Sequence, residues 1–239
     1  MIKIFLDEPL FPHTVLKVYG DNAHHLKVLR VFPGKRIIVG GIDGEEYFAR
    51  IVERRKEWMS IEIENLSPPI RKPARKVTLL SALPKNNRFE DIVFHCTQIG
   101  VFEFIPLITE RTEKKINNPN RFFERCQKKA RHGSEIAGRS EIPHIRPVIS
   151  YLDALEYYKS NDYDTGILFW EEENKESHIL PEDYTDTLAV FIGPEGGLTK
   201  KEALEGIDAG LKSRSMGPLV MDVGTACISA SALFLCGEY

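Results

Sequence analysis

Leu188-Ala189-Val190-Phe191-Ile192-Gly193-Pro194-Glu195-Gly196-Gly197-Leu198-Thr199 is the stretch from which the fold is read. Five consecutive apolar residues suit a strand buried on both faces, the kind found in parallel sheets. Three glycines and a proline end it in a sharp turn, since glycine tolerates φ > 0 and lets a ligand approach the backbone. Thr199 with Glu202 three positions on is a capping box, so a helix starts there. Exposed N–H groups at such a strand–turn–helix junction are donors for a small molecule, although a tight turn alone also needs glycines. The GxGxxG of a dinucleotide site and the GxxxxGKS of a triphosphate site are both missing from the chain.

A second junction of the same kind follows at Ser215-Met216-Gly217-Pro218-Leu219-Val220-Met221-Asp222-Val223-Gly224-Thr225-Ala226. Two glycine loops at the C-terminal ends of neighbouring strands form the crevice in which open α/β sheets hold their ligands. Met216, Leu219 and Met221 would line it with apolar surface suited to an adenine ring and a methylthio group.

Outward from these loops, strands and helices alternate. Val77–Leu83, Phe104–Ile108, Gly166–Trp170 and Leu211–Met216 read as further strands, with a possible one at Ile145–Ile149; Arg88–Ile99, Asn120–Ala137, Ser150–Tyr158 and Thr225–Cys236 read as helices. This alternation predicts a parallel sheet covered on both faces. The first 66 residues read instead as short strands, at Ile2–Leu6, Val15–Val18, Arg36–Gly40, Tyr47–Val52 and Met59–Ile63, with an Asp43-Gly44 hairpin turn. Several strands in so short a span imply a small closed or half-open barrel. Ser67-Pro68-Pro69-Ile70-Arg71-Lys72-Pro73, with three prolines in seven residues, marks the boundary. The expected domains are therefore residues 1–70 and 71–239.

With 42% hydrophobic and 28% charged residues, the 239-residue chain is an ordinary globular composition, which excludes disorder and collagen-like designs. No apolar run reaches a membrane span, and the N-terminus is too soon acidic for a secretory signal. Cys96, Cys126, Cys227 and Cys236 form no CxxC pair, so core thiols in a reducing cytoplasm are expected rather than a disulfide framework or a metal site. His24-His25 has no third donor nearby and is read as a barrel-edge element. A net charge of -3 conceals segregation. Residues 111–131 carry net +6, residues 151–186 carry net −9, and six basic residues precede the first acid between Arg71 and Arg88. Such a chain presents a basic face to phosphates while staying neutral overall, although solvated helix faces give the same pattern.

Ile192-Gly193-Pro194-Glu195-Gly196-Gly197-Leu198 followed by Met216-Gly217-Pro218 resembles the paired cofactor loops of the RsmE family, SPOUT-class methyltransferases of 16S ribosomal RNA. His24-His25-Leu26-Lys27-Val28-Leu29-Arg30 and Lys85-Asn86-Asn87-Arg88-Phe89-Glu90 are similar to two further stretches of that family. Gly100-Val101, Pro106-Leu107, Glu110-Arg111, Glu135, Arg139 and Pro143 also fall where its motifs belong. The resemblance implies an α/β chain with a C-terminal SPOUT trefoil-knot domain preceded by a small PUA-like β-barrel. It implies S-adenosyl-L-methionine (SAM) as cofactor, a homodimer packed through the knots, and methylation of a uridine N3 in the small ribosomal subunit, in the cytoplasm. The second loop departs from the pattern: Leu219, Asp222 and Gly224 stand where the family has two arginines and a glutamate. That departure leaves open a different RNA target, or a non-catalytic RNA-binding role in ribosome assembly.

The expected cofactor-binding residues of the first loop are Ile192, Gly193, Pro194, Glu195 and Gly196. Those of the second are Met216, Gly217, Leu219, Met221, Thr225 and Ala226. Loss of the uridine N3 proton needs a base, and Asp222 is the candidate, with a helix-start cap as its structural alternative. Glu195 orients the cofactor ammonium or serves the turn. Arg139 is expected to contact the target nucleotide, or else to form a surface ion pair, and Arg30, Lys85 and Arg88 to contact RNA. No metal is required by such a transfer.

Overall fold

The computed structural model describes residues 2–42, 44–68, 73–85, 89–170 and 177–236. The chain divides into two compact units, Met1–Lys72 with Ser134–Ile142, and Pro73–Gly133 with Pro143–Tyr239.

The first unit holds β1 (Lys3–Phe5), β2 (Val15–Val18), β3 (Arg36–Gly40), β4 (Glu46–Arg54) and β5 (Met59–Leu66) in the order β1-β3-β4-β5-β2. Only the β1–β3 pairing is parallel. Two register shifts between β4 and β5 bend the sheet around a core of Ile4, Val39, Ile51 and Ile61. The hairpin between β3 and β4 is present, with Asp43 itself outside the described residues. The all-strand expectation for this region is corrected at Gly20–Val28, which is a helix, α1, and carries His24 and His25. Ala23 and Leu26, three residues apart, are buried in the sheet's core. Nine residues are too few to hold a helix by propensity, so packing supplies the stability. Lys3 is buried too: its Nζ meets Glu46 Oε1 at 2.5 Å and donates to the backbone carbonyl of Arg139. Burial pushes the Lys3 pKa down while Glu46 opposes the fall. This bond ties the 134–142 segment to β1.

The second unit contains β6 (Lys76–Ala82), α2 (Phe89–Ile99), β7 (Glu103–Ile108), α3 (Pro119–Ala137), whose last turn belongs to the first unit, β8 (His144–Ile145) and β9 (Ile149–Ser150). Then come α4 (Tyr151–Ser160), β10 (Thr165–Phe169), β11 (Thr187–Ile192), α5 (Lys200–Asp208), β12 (Lys212–Arg214) and α6 (Val223–Leu235). The strand order is β12-β10-β11-β6-β7-β8, with β9 also on β7, and every pairing is parallel. β10 and the apolar run of β11 are buried almost throughout, as parallel strands covered on both faces require.

Register decides where the site lies. Arg214, Phe169, Ile192 and Ser81 are aligned across β12, β10, β11 and β6. The loops leaving these strands therefore emerge along one sheet edge, and the two glycine loops flank the end of β10.

Candidate functional site

The first loop is a tied frame. The Gly197 N–H donates to the Pro194 carbonyl at 2.9 Å, closing a tight turn, and Gly197 takes φ +69°, a left-handed conformation suited to glycine. Thr199 caps α5: its hydroxyl accepts from Glu202 N, and Glu202 accepts from Thr199 N in return. The same Glu202 carboxylate accepts from Glu110 N at 2.8 Å, and Arg111 Nη1 donates to the Gly196 carbonyl at 2.8 Å. Glu195 Oε1 accepts from the backbone N–H of Lys85 at 3.0 Å, so Glu195 serves to join the loop to the chain leaving β6.

The second loop is open. The Ser215 hydroxyl accepts from Gly217 N at 3.2 Å, and Gly217 adopts φ +118°. Leu219 and Val220 are 79% and 91% exposed, an unusual disposition for two adjacent aliphatic side chains. Asp222 closes the loop as the N-cap of α6, Oδ1 accepting from Thr225 N at 2.6 Å. The structural alternative for Asp222 is thus observed.

The two loops face each other across one cleft of about 790 Å³, its mouth included, within the size range of small-molecule sites. Ile192, Gly193 and Pro194 line it from the first loop; Met216, Gly217, Leu219 and Met221 line it from the second, and Ala226 from α6. Glu195, Gly196 and Thr225 do not line the cleft. Glu195 and Thr225 face a second recess, and Gly196 lies against Arg111.

Sequence reading missed two residues of the cleft. Trp170, directly after β10, has a buried indole Nε1–H with no hydrogen-bond partner. Its position at the C-terminal end of a parallel strand, between two loop-bearing strands, was the available signal. Arg214 is fixed by buried Asp183, with Nε–Oδ2 at 2.6 Å, while Lys212 Nζ reaches the same carboxylate at 3.0 Å. Burial raises the Asp183 pKa, but bonds from Arg214, the Leu180 N–H and Lys212 outweigh it and hold the carboxyl below its usual range.

The second recess adjoins the first and shares Val223 with it. Pro84, Ile92, Val223 and Ile228 give it apolar walls. Asp222, Thr225, Glu195, Lys85, His95 and Asp91 supply polar groups. Lys85 Nζ pairs with Glu113 at 2.7 Å, which raises the lysine pKa, and Asp91 pairs with Lys129 at 2.9 Å.

The remaining expected residues lie elsewhere. Arg30 is exposed just beyond α1 in the first unit, in a left-handed conformation with φ +53°. Arg139 belongs to the 134–142 segment of that unit, where burial pushes its guanidinium pKa down to about 10 despite Glu141. Arg88 lies outside the described residues, as do residues 69–72 of the proline-rich boundary. Cys96, Cys126 and Cys227 are buried free thiols; Cys236 is exposed at the end of α6, which corrects the expectation of four core thiols. Among the described residues no helix is long and apolar enough to cross a membrane.

With this geometry in place, comparison with known proteins is informative. Residues 71–235 match the family model described as the RNA methyltransferase domain, and residues 18–64 match that of the RNA methyltransferase PUA domain. The chain is 28% identical over 230 residues to ribosomal RNA small subunit methyltransferase E of Bacillus subtilis, covering 89% of this chain and 86% of that protein. It is likewise 28% identical to the Rickettsia conorii protein of the same name, covering 96% and 93%. Among solved structures, that of the Neisseria gonorrhoeae ribosomal RNA small subunit methyltransferase E bound to S-adenosyl methionine superposes with a TM-score of 0.83, at 24% identity over 98% of this chain and 96% of that one. A Legionella pneumophila chain in complex with the bound cofactor SAM gives a TM-score of 0.85 at 24% identity, with the same coverage.

Proposed function

The chain belongs to the RNA methyltransferase family, with a PUA-like unit ahead of a SPOUT-type α/β domain, and on that premise we propose that it methylates N3 of a uridine in 16S ribosomal RNA of the small subunit, using SAM. One observation carries the cofactor assignment: the glycine loops after β11 and β12 flank β10 and line a single, mostly apolar cleft. The residues present fit that group. Met216, Leu219, Met221 and Ile192 offer apolar surface to a purine and a thioether, Gly193 and Gly217 leave backbone open to approach, and the unpaired indole N–H of Trp170 awaits an acceptor. When bound there, SAM supplies an electrophilic methyl group on its sulfonium sulfur.

The protein's own residues do the rest. The cleft holds the donor in one place and so supplies proximity and orientation, the main source of acceleration in such a transfer. Asp222 accepts the N3 proton, its orientation fixed by the bond to Thr225 N. Arg30, Lys85, Arg88 and Arg139 hold phosphates or the target nucleotide, a salt-dependent contribution. The barrel of residues 1–70 grips rRNA and residues 71–239 carry the chemistry. The protein acts in the cytoplasm as a homodimer joined through the C-terminal domain.

The test is direct. Full-length protein is incubated with SAM and small-subunit rRNA, the RNA is digested, and nucleosides are resolved by mass spectrometry. A single new N3-methyluridine is expected. Methylation of another base or another RNA would move the target, and SAM binding without any methylation would leave an RNA-binding role.

A further inference from the structure

The recess beside the cofactor cleft has no task in binding the donor, yet it shares Val223 with it and receives the loops after β6 and β11 and the start of α6. We propose that this recess is the acceptor site, that it takes one extruded uracil ring, and that Asp222 makes it select uracil over cytosine. The proposal rests on the methyltransferase reading above and adds the place of the second substrate.

The chemistry of the walls fits a pyrimidine. A nucleobase has two apolar faces and a polar edge, and modifying enzymes take it out of the stack into a fitted pocket. Ile92 and Ile228 meet the faces, with Pro84 and Val223 closing the ends. Along the edge sits the Asp222 carboxylate, which cannot turn freely because Oδ1 is engaged by Thr225 N at 2.6 Å. An ionised carboxylate only accepts hydrogen bonds. Uracil presents N3–H and donates to it. Cytosine presents a bare N3 lone pair, so two acceptors would face each other without a proton between them. The same contact prepares the reaction: the N3 proton passes to the carboxylate, the electron pair stays on N3, and the resulting charge spreads over O2 and O4. Lys85, at the rim, supplies positive charge near that anion.

An alternative use of the recess as a structural void is disfavoured by its polarity. Three carboxylates, a lysine and a histidine on its walls would not be gathered around an apolar packing defect.

The experiment uses the full chain with fluorescein-labelled oligo(U) and oligo(C) twelve-mers, read by anisotropy in the presence of S-adenosylhomocysteine, alongside calorimetry with SAM. Wild type is expected to bind oligo(U) roughly tenfold more tightly than oligo(C), the scale of one charge-assisted bond replaced by a repulsion. Asp222→Asn keeps the helix cap, because Asn caps as well as Asp, but its amide bonds to either base, so the preference falls to about one while SAM affinity is unchanged. His95→Trp, a change at an exposed position of α2, fills the recess and also removes the preference. Equal binding of the two oligomers by wild type, or an unchanged preference in both variants, overturns the proposal. Failure of wild type to bind SAM overturns the methyltransferase reading instead, so the two failures are told apart.

Discussion

The two glycine loops do similar work with opposite construction. The first is bonded to its surroundings at almost every step: Gly197 to Pro194, Gly196 to Arg111, Glu195 to Lys85, and Thr199 to Glu202, which also reaches Glu110. The second is held at its ends, by Ser215 and by the Asp222 cap, and between them exposes Leu219 and Val220. A frame must be rigid to position a ligand, whereas a flap must be open to admit one. Stability therefore resides in the first loop and ligand affinity in the second.

Removing Glu202 tests that division most severely. Glu202→Ala deletes the capping box and leaves Thr199 N and Glu110 N without their acceptor, so urea denaturation should show a loss of about 3 kcal/mol, combining a helix cap with a buried unsatisfied donor. A loss under about 0.5 kcal/mol would mean that the first loop is no frame. Gly217→Ala should act in the other currency. At φ +118° a Cβ costs about 1–2 kcal/mol; because the loop is open, the strain should appear as roughly tenfold weaker SAM binding with little change in unfolding. Trp170→Phe should weaken SAM by about fivefold, one neutral hydrogen bond. Trp58 and Trp170 are the two tryptophans of the chain; in a Trp58→Phe background, SAM should shift the emission of Trp170. Smallest of all, Val220→Ser should leave stability within about 0.5 kcal/mol and reduce SAM affinity by a few-fold. A larger effect on stability than on affinity would reverse the roles assigned to the loops.

Much of this was legible in the chain because its causes are local. Leu188–Ile192 reads as a buried strand from five residues, and Thr199 with Glu202 reads as a helix start from four. Asp222 as a cap is equally local. What escaped depends on distant partners. Lys3 stands in an apolar strand and gives no sign of burial, because Glu46 and the Arg139 carbonyl that receive it lie 43 and 136 positions away. The tie from Arg214 to Asp183 spans 31 positions. Helix α1 was hidden among strands because two packed residues, rather than helical propensity, sustain it. The cleft itself was read from its loops, but its division from the recess was not. That depends on how α6 meets α2, and it moved Glu195 and Thr225 from one chamber to the other.

Hydrogen exchange of the full-length chain, with and without saturating SAM, tests the clasp most directly. Amides of residues 215–221 should slow strongly on adding SAM, while those of 193–198 should already exchange slowly and change little. Slowing confined to other segments, or no change in either loop while SAM is bound, would contradict the assignment of this cleft to the methyl donor.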